Sequence, residues 1–350
     1  MPTIDSDAHV LECMATWGYM TPAEARMTPM IVERKAGGAE ERNTDGLLKK
    51  EYWVVDGRLH EKDQNVSKDI SDESREMSDV SARIRHMDEL QIDVQILYPT
   101  LMLRPIAAQA PLDVALCRSY NRWLADIWRK GEGRLRWVAA PPLTAMDKVR
   151  DEMKFAKDNG ACGIFMRGLE CELPLSDPYF YPLYEIAGEL DMAICVHLGN
   201  GSFTVHDFYN RDTTFTKFKL PTVGCFHSLI MAGTPALFPK VRWGIVEVSA
   251  NWLPYVINDL RLRFRRRGKR LPDNVLKANN IYIACEVTDD LPGVLKVAGV
   301  DNLVIGTDYG HSDSSTEIEA LRMLRDNQSV GAAAVDKILW DNPRTLYGLA

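Results

Sequence analysis

The sequence predicts an α/β chain folded as a (β/α)8 TIM-like barrel with a long insertion after its first strand. Three observations carry this: eight short runs rich in β-branched residues, helical patterns between them, and no Gly-x-Gly-x-x-Gly turn after any strand. The last of these ranks a closed barrel above an open doubly wound sheet. At 350 residues and 46% hydrophobic content the chain can bury a large core, and one domain over 1–350 is expected.

The candidate strands are residues 3–7, 93–99, 134–142, 162–168, 192–199, 241–248, 280–285 and 302–308. After the first comes a stretch, 15–75, rich in Met, Glu, Lys, Asp and Gly with one short apolar run, "YWVVDG". It is too long for an ordinary βα loop, so it is expected to leave the catalytic end of the barrel as an inserted arm or lid. Its Trp and Tyr content speaks against full disorder. The helices follow in order: "DVSARIRHMDELQ" has apolar residues at helical spacing, "PLDVALCRSYNRWLADIWRKG" opens on Pro and closes near Gly, and "LPYVINDLRLRF" is strongly amphipathic.

The formal charge of -7, from 42 basic and 49 acidic residues, is mild. The basic run "RLRFRRRGKR" at 261–270 reads as the solvated end of a helix, so no nucleic-acid partner is expected. No apolar run approaches the ~20 residues that span a bilayer, and no basic segment precedes a hydrophobic one at the amino terminus. Seven cysteines, none in a Cys-x-x-Cys pair, look like reduced core residues. A soluble, cytoplasmic protein without a membrane partner is the expectation.

Residues two apart on a strand share a face, so Asp7 and His9 project together at the carboxyl end of the first strand, into the mouth where barrel active sites lie. Three other apolar strands end on ionisable residues: His197, Glu247 and Asp308. Such groups gathered at one mouth are costly unless paired or bound to a cation, and their convergence points to a metal site. Arg167, ending the fourth strand, has the fork to grip a substrate carboxylate or to pair with a nearby acid. His311 would bind substrate or orient Asp308, its bland alternative being a surface loop histidine. His227 would reach the site from an early helical turn, or else pack on a helix face. His206, Tyr98 and Trp252 are candidates for the pocket walls, the aromatics competing with a core role, and His60 and His86 read as structural or surface.

The segments "TIDSDAHVLE", "MDELQIDVQILYP", "VHLGNG", "VIGTDYGHSDS" and the ending "ILWDNPRTLYGL" resemble the amidohydrolase superfamily. Within it they resemble the branch of metal-dependent hydrolases and decarboxylases related to aminocarboxymuconate-semialdehyde decarboxylase. The resemblance spans nearly the whole chain apart from 15–75. It implies a barrel holding a divalent metal through a His-x-His pair on strand one, a His on strand five and an Asp on strand eight, with a strand-six His assisting catalysis. Carried over, Asp7 stands at the first histidine of the pair, His9 at the second, His197 at the strand-five ligand and Asp308 at the strand-eight ligand. Glu247 stands where the catalytic histidine would be, and Glu12 adds a carboxylate just past strand one.

Asp7, Glu12, Glu247 and Asp308 together supply enough negative charge to neutralise two divalent ions. A carboxylate-rich set without thiolates favours manganese or iron over zinc, with one or two ions per chain. The expected function is therefore decarboxylation or hydrolysis of a small organic acid, with Asp308, Glu247 and His311 catalytic and Arg167, His227 and Trp252 on the substrate. A dinuclear non-haem iron or manganese oxygenase on the same barrel is the first alternative. A catalytically silent partner of an active paralogue is the second. The arm and the resemblance lead us to expect a homo-oligomer.

Overall fold

A computed structural model of the chain describes residues 2–35, 49–62, 64–209 and 215–349. The eight parallel strands β1 (Ile4–His9), β2 (Val94–Tyr98), β3 (Leu135–Ala139), β4 (Ala161–Arg167), β5 (Ala193–His197), β6 (Trp243–Val246), β7 (Ile281–Cys285) and β8 (Leu303–Ile305) follow one another around the sheet in chain order. This is the expected (β/α)8 barrel: six strands lie inside their predicted runs, β1 runs two residues past its predicted end to His9, and β4 starts one residue early at Ala161. The strands are buried along nearly their whole length, which is why they read as continuous apolar runs rather than alternating ones.

Eight main helices surround the sheet: α1 (Val80–Glu89), α2 (Ala110–Lys130), α3 (Met146–Asp158), α4 (Tyr181–Leu190), α5 (Leu220–Ala232), α6 (Leu253–Arg266), α7 (Leu291–Ala298) and α8 (Ala320–Asp326). Asp79 caps α1 by accepting the Ser81 N–H, and α2 has Pro111 in its first turn and stops at Gly131. In α6, Leu253, Val256, Ile257 and Leu260 form the buried stripe. Its arginine-rich end is exposed, where cations also complement the helix dipole, so the basic run is the solvated helix end expected of it. All seven cysteines are free, six of them buried. No helix among the described residues is long and apolar enough to cross a membrane.

The circle closes between β8 and β1 without a regular ladder. The Asp308 N–H donates to Asp7 O at 2.9 Å, and the His9 N–H donates to Tyr309 O at 2.8 Å. Thr307 donates its N–H (2.9 Å) and its hydroxyl (2.6 Å) to the Asp5 carboxylate. Gly306 makes this approach: a Cβ there would run into the Asp7 Cβ and lie 2.7 Å from the Asp7 nitrogen. Gly306→Ala is therefore expected to destabilise the fold by about 1–3 kcal/mol, the usual cost of overpacking. Urea unfolding measures this, and an unchanged midpoint would show that the seam is looser than described.

The arm begins with two 3-10 turns, Met14–Tyr19 and Pro22–Met27, and continues as an antiparallel sheet of Met30–Lys35, Lys49–Val55 and Arg58–Glu61. Trp53, fully buried, meets Trp17 edge on. The chain then returns across the barrel mouth: Val66 bridges to His311, and the Ser67 N–H donates to Gly310 O at 2.9 Å. The expected 15–75 insertion also includes 36–48 and 63, which lie outside the described residues.

Candidate metal centre

The strand tips bring six ionisable side chains to one buried point. Asp7 and His9 come from β1, His197 from β5, Glu247 from just past β6, and Asp308 and His311 from just past β8. A register slip in β1 between Asp5 and Ala8 separates Asp5 from this set. Asp5 accepts from Gln95 and Thr307, whereas Asp7 and His9 meet His197 and the carboxylates. Re-aiming a side chain beside a site is what a bulge does.

The ligand atoms form two overlapping groups, Asp7–His9–His197–Glu247 and His9–Glu247–Asp308–His311, with the atoms of each within 4.8 Å of one another. His197 Nε2 lies 3.0 Å from Asp7 Oδ1 and 3.2 Å from Glu247 Oε2. His9 Nε2 lies 3.4 Å from both Asp7 Oδ1 and Asp308 Oδ1. His311 Nδ1 stands 2.7 Å from Asp308 Oδ1, with its ring stacked on that of His9.

The outer hydrogen bonds decide which nitrogen faces the centre. His9 Nδ1 donates to Pro99 O and His197 Nδ1 to Leu198 O, each at 3.0 Å. A carbonyl can only accept, so in the neutral rings both Nε2 lone pairs point at carboxylate oxygens. Facing lone pairs repel, and a cation between them turns the repulsion into ligation. The buried atoms His9 Nε2 and Glu247 Oε2 have no hydrogen-bond partner. The donor set thus fits a divalent ion.

Electrostatics and backbone agree with this. Burial, then the charges of Asp308, Asp313 and Asp7, pushes the Glu247 carboxyl well above its usual range. Burial raises Asp308 to about 6 against the opposing pull of His311. Burial and the neighbouring His311 hold His9 down to about 3. Burial would raise Asp7 too, but His197 and His9 overcome it and keep that carboxyl low. His311, which burial alone would lower, is held up by Asp308. A bound cation would reverse the upward carboxylate shifts. Glu247 and Asp308 also sit in left-handed backbone, at φ 62° and 52°, where the Cβ of an L-residue costs roughly 1–2 kcal/mol, a strain that concentrates at functional positions.

Several expected site residues lie elsewhere. Glu12 belongs to neither group: its Oε2 accepts the N–H groups of Thr100 (3.2 Å) and Leu101 (2.8 Å), and its buried Oε1 has no hydrogen-bond partner. Arg167 makes the pairing with a nearby acid that the sequence also allowed, and it lines the cavity between the ends of β3 and β4 and the start of α2. Its Nε and Nη2 form a fork with Glu170 at 2.9 and 2.5 Å, and its Nη1 donates to Met102 O and Arg104 O at 3.0 and 2.7 Å. His227, half-buried on α5, donates to Asp259 at 2.9 Å and stands outside the cluster. Trp252 donates its indole N–H to Ser249 O at 2.7 Å and packs edge on against Phe226, supporting the loop after β6 rather than lining the mouth.

Tyr98 is buried with its ring against His197 and its hydroxyl on Tyr347. His206 pairs with its neighbour Asp207, His60 is buried in the arm, and His86 bonds the Tyr309 hydroxyl.

Sequence reasoning missed three features. Thr100 holds His311 Nε2 at 3.0 Å. Fully buried Arg83 lies behind the centre, donating Nε to Gln95 at 2.7 Å and Nη1 to His9 O at 3.1 Å. Arg104 lines a cavity of about 40 Å³ directly over the cluster, together with Thr100, Leu198, Phe218, Glu247 and His311. The signal for Arg104 was its place just past a strand tip, in "YPTLMLR". A larger cavity of about 320 Å³ lies to one side, between the ends of β3 and β4 and the start of α2, and is mostly apolar.

A family model described as amidohydrolase matches residues 4–349. Among solved structures, an amidohydrolase from Mycobacterium avium subsp. paratuberculosis superposes with a TM-score of 0.77 at 18% identity, over 100% of this chain and 98% of the other. A 5-carboxyvanillate decarboxylase from Novosphingobium aromaticivorans, solved with manganese and a nitrobenzoic acid, gives 0.70 at 16% identity over 99% and 97%. A dihydroxybenzoic acid decarboxylase from Polaromonas, solved with manganese and 2-nitroresorcinol, gives 0.67 at 18% over 99% and 97%. At these identities the likeness is one of fold.

Proposed function

The chain belongs to the amidohydrolase family, and from that premise we propose that it is a metal-dependent enzyme that removes CO2 from a small organic acid. Hydrolysis of such an acid is the variant of this reading that the product would reveal. The observation that carries it is the pair of histidine Nε2 atoms, each fixed by its own Nδ1–H bond, aimed at buried carboxylate oxygens. Asp7, His9, His197, Glu247, Asp308 and His311 would hold the metal. Three carboxylates among six donors suit manganese or iron better than zinc. Two of the similar structures are decarboxylases solved with manganese, which supports the same choice.

When bound, a divalent ion supplies the positive charge that polarises a substrate oxygen. Asp308 carries the proton for the carbon that loses CO2. Its Oδ2 accepts from Thr316 at 2.6 Å, which fixes the carboxyl, and His311, held in turn by Thr100, keeps it in place from the other side. Gln64 and Asn65, where the arm returns, line the cavity above the cluster.

A second reading has one observation behind it: the two ligand groups share Glu247, whose two carboxylate oxygens could bridge two neighbouring ions. That favours a dinuclear iron or manganese oxygenase. The test is elemental analysis of protein made without added zinc, followed by turnover of hydroxybenzoic and related acids under nitrogen. We expect one metal per chain and CO2 released in step with substrate loss. About two ions per chain with strictly oxygen-dependent turnover would replace the first reading with the second.

A further inference from the structure

We propose that Arg104 is the anion-binding residue of the mouth, its guanidinium taking the carboxylate of the organic acid over the metal cluster. The proposal rests on the reading above for what then happens to the acid, but not for its binding.

Arg104 ends a short turn after β2, and other parts of the barrel rim hold that turn in place. Glu12 accepts the N–H groups of Thr100 and Leu101. The Asn200 N–H, past β5, donates to Leu103 O at 3.0 Å. Arg167, at the end of β4, donates to the carbonyls of Met102 and Arg104. Two residues expected to touch metal and substrate are thus used to fix the backbone that presents Arg104.

The side chain so presented is underused. Its Nε is buried with no partner, and Nη1 makes one long bond, 3.5 Å, to Glu61 O. The carboxylates that act on it through space are Glu12 and Glu61. Both are occupied elsewhere, Glu12 on the turn amides and Glu61 with Lys50. Among the described residues no carboxylate reaches it at ion-pair distance, in contrast to the bidentate Arg167–Glu170 pair. Arg104 is half-buried, and its Nε is withdrawn from water without a partner or counter-charge, which is costly; a planar anion would satisfy it through two parallel N–H bonds.

The cavity beside it, about 40 Å³, has room for a carboxylate-sized group but not for a ring. The body of the acid would then lie toward the rim at Gln64, Asn65 and Phe218. Glu247 and Asp313 line the same cavity and would repel an anion, so binding should require the metal-loaded protein, in which the cluster charge is offset.

The experiment uses manganese-loaded, full-length protein and titrates benzoate, with benzyl alcohol as the neutral control. Wild type should bind benzoate at least tenfold more tightly than Arg104→Gln, with equal metal content by elemental analysis, and both should bind benzyl alcohol equally weakly. Arg104→Lys, which keeps the charge but loses the fork, should bind benzoate at least threefold less tightly than wild type, and it serves if the glutamine variant does not fold. Equal benzoate affinity in wild type and either variant overturns the proposal. So does wild-type binding of benzyl alcohol as tight as that of benzoate. Absence of CO2 release would defeat the decarboxylase reading while leaving an Arg104-dependent benzoate affinity standing.

Discussion

Replacing Glu247 with glutamine is expected to strip most of the bound metal and to slow turnover by ~10³-fold or more, at the upper end of what one catalytic group contributes. The reason is its double membership: Glu247 belongs to both ligand groups, so its loss weakens either a mononuclear or a dinuclear site. Glutamine keeps the shape but supplies no charge, leaving two cluster carboxylates, Asp7 and Asp308, where there were three. Elemental analysis after dialysis and steady-state rates check the two halves of the expectation, with circular dichroism as the folding control. Glu12→Gln is the matched comparison: its carboxylate serves the Thr100–Leu101 amides, so that variant should keep its metal. If Glu247→Gln retained full metal content while Glu12→Gln lost it, the cluster would be wrongly drawn.

The second large effect is on stability. Arg83→Leu is expected to destabilise the protein by about 3–5 kcal/mol, because it removes three hydrogen bonds made by a charged group and leaves the buried Gln95 amide and two carbonyls without a partner. Arg83 is wholly buried, bonded to Gln95 and to the carbonyls of His9 and Ser74, with its guanidinium 3.5 Å from the centre of the Tyr309 ring. Gln95 passes the contact on to Asp5 at 2.9 Å, so removing Arg83 strands a chain of polar groups reaching the seam. Because the His9 carbonyl is one of its partners, the same change should also weaken metal affinity, by roughly 10–100-fold for a group that orients a ligand. Urea unfolding and a metal-binding titration would show both. A loss below about 1 kcal/mol would mean that water replaces the guanidinium and that the network is not structural.

Much of this was legible in the chain because barrel strands are local. Each apolar run forms its strand from its own residues, and the ionisable residue that ends it falls at the mouth by direction alone, as His197, Glu247 and Asp308 show. What could not be read depends on contacts between distant loops. Glu12 and Arg167 have the side chains of a ligand and a carboxylate clamp, yet both are spent on the turn at Thr100–Arg104, a pairing that no spacing reveals. The slip in β1 is equally silent: the alternation Asp5-x-Asp7-x-His9 places all three on one face, and only the pairing with β2 shows Asp5 set apart. His311 lay between roles on paper because its loop position follows from the arm, whose Val66 bridges to it.

The junction of β8 with β1 runs through the cluster itself, with Asp7 and His9 on one lip and Asp308 and His311 on the other. An ion held there acts as a rivet in a hoop, gripped by both ends of the circumference at once. Affinity for the ion and resistance to opening are then one quantity seen from two sides: at a free metal concentration one hundred times its dissociation constant, the closed ring gains about 2.7 kcal/mol. Any change in these lips that eases release of the ion must also slacken the ring that holds the other strands in line.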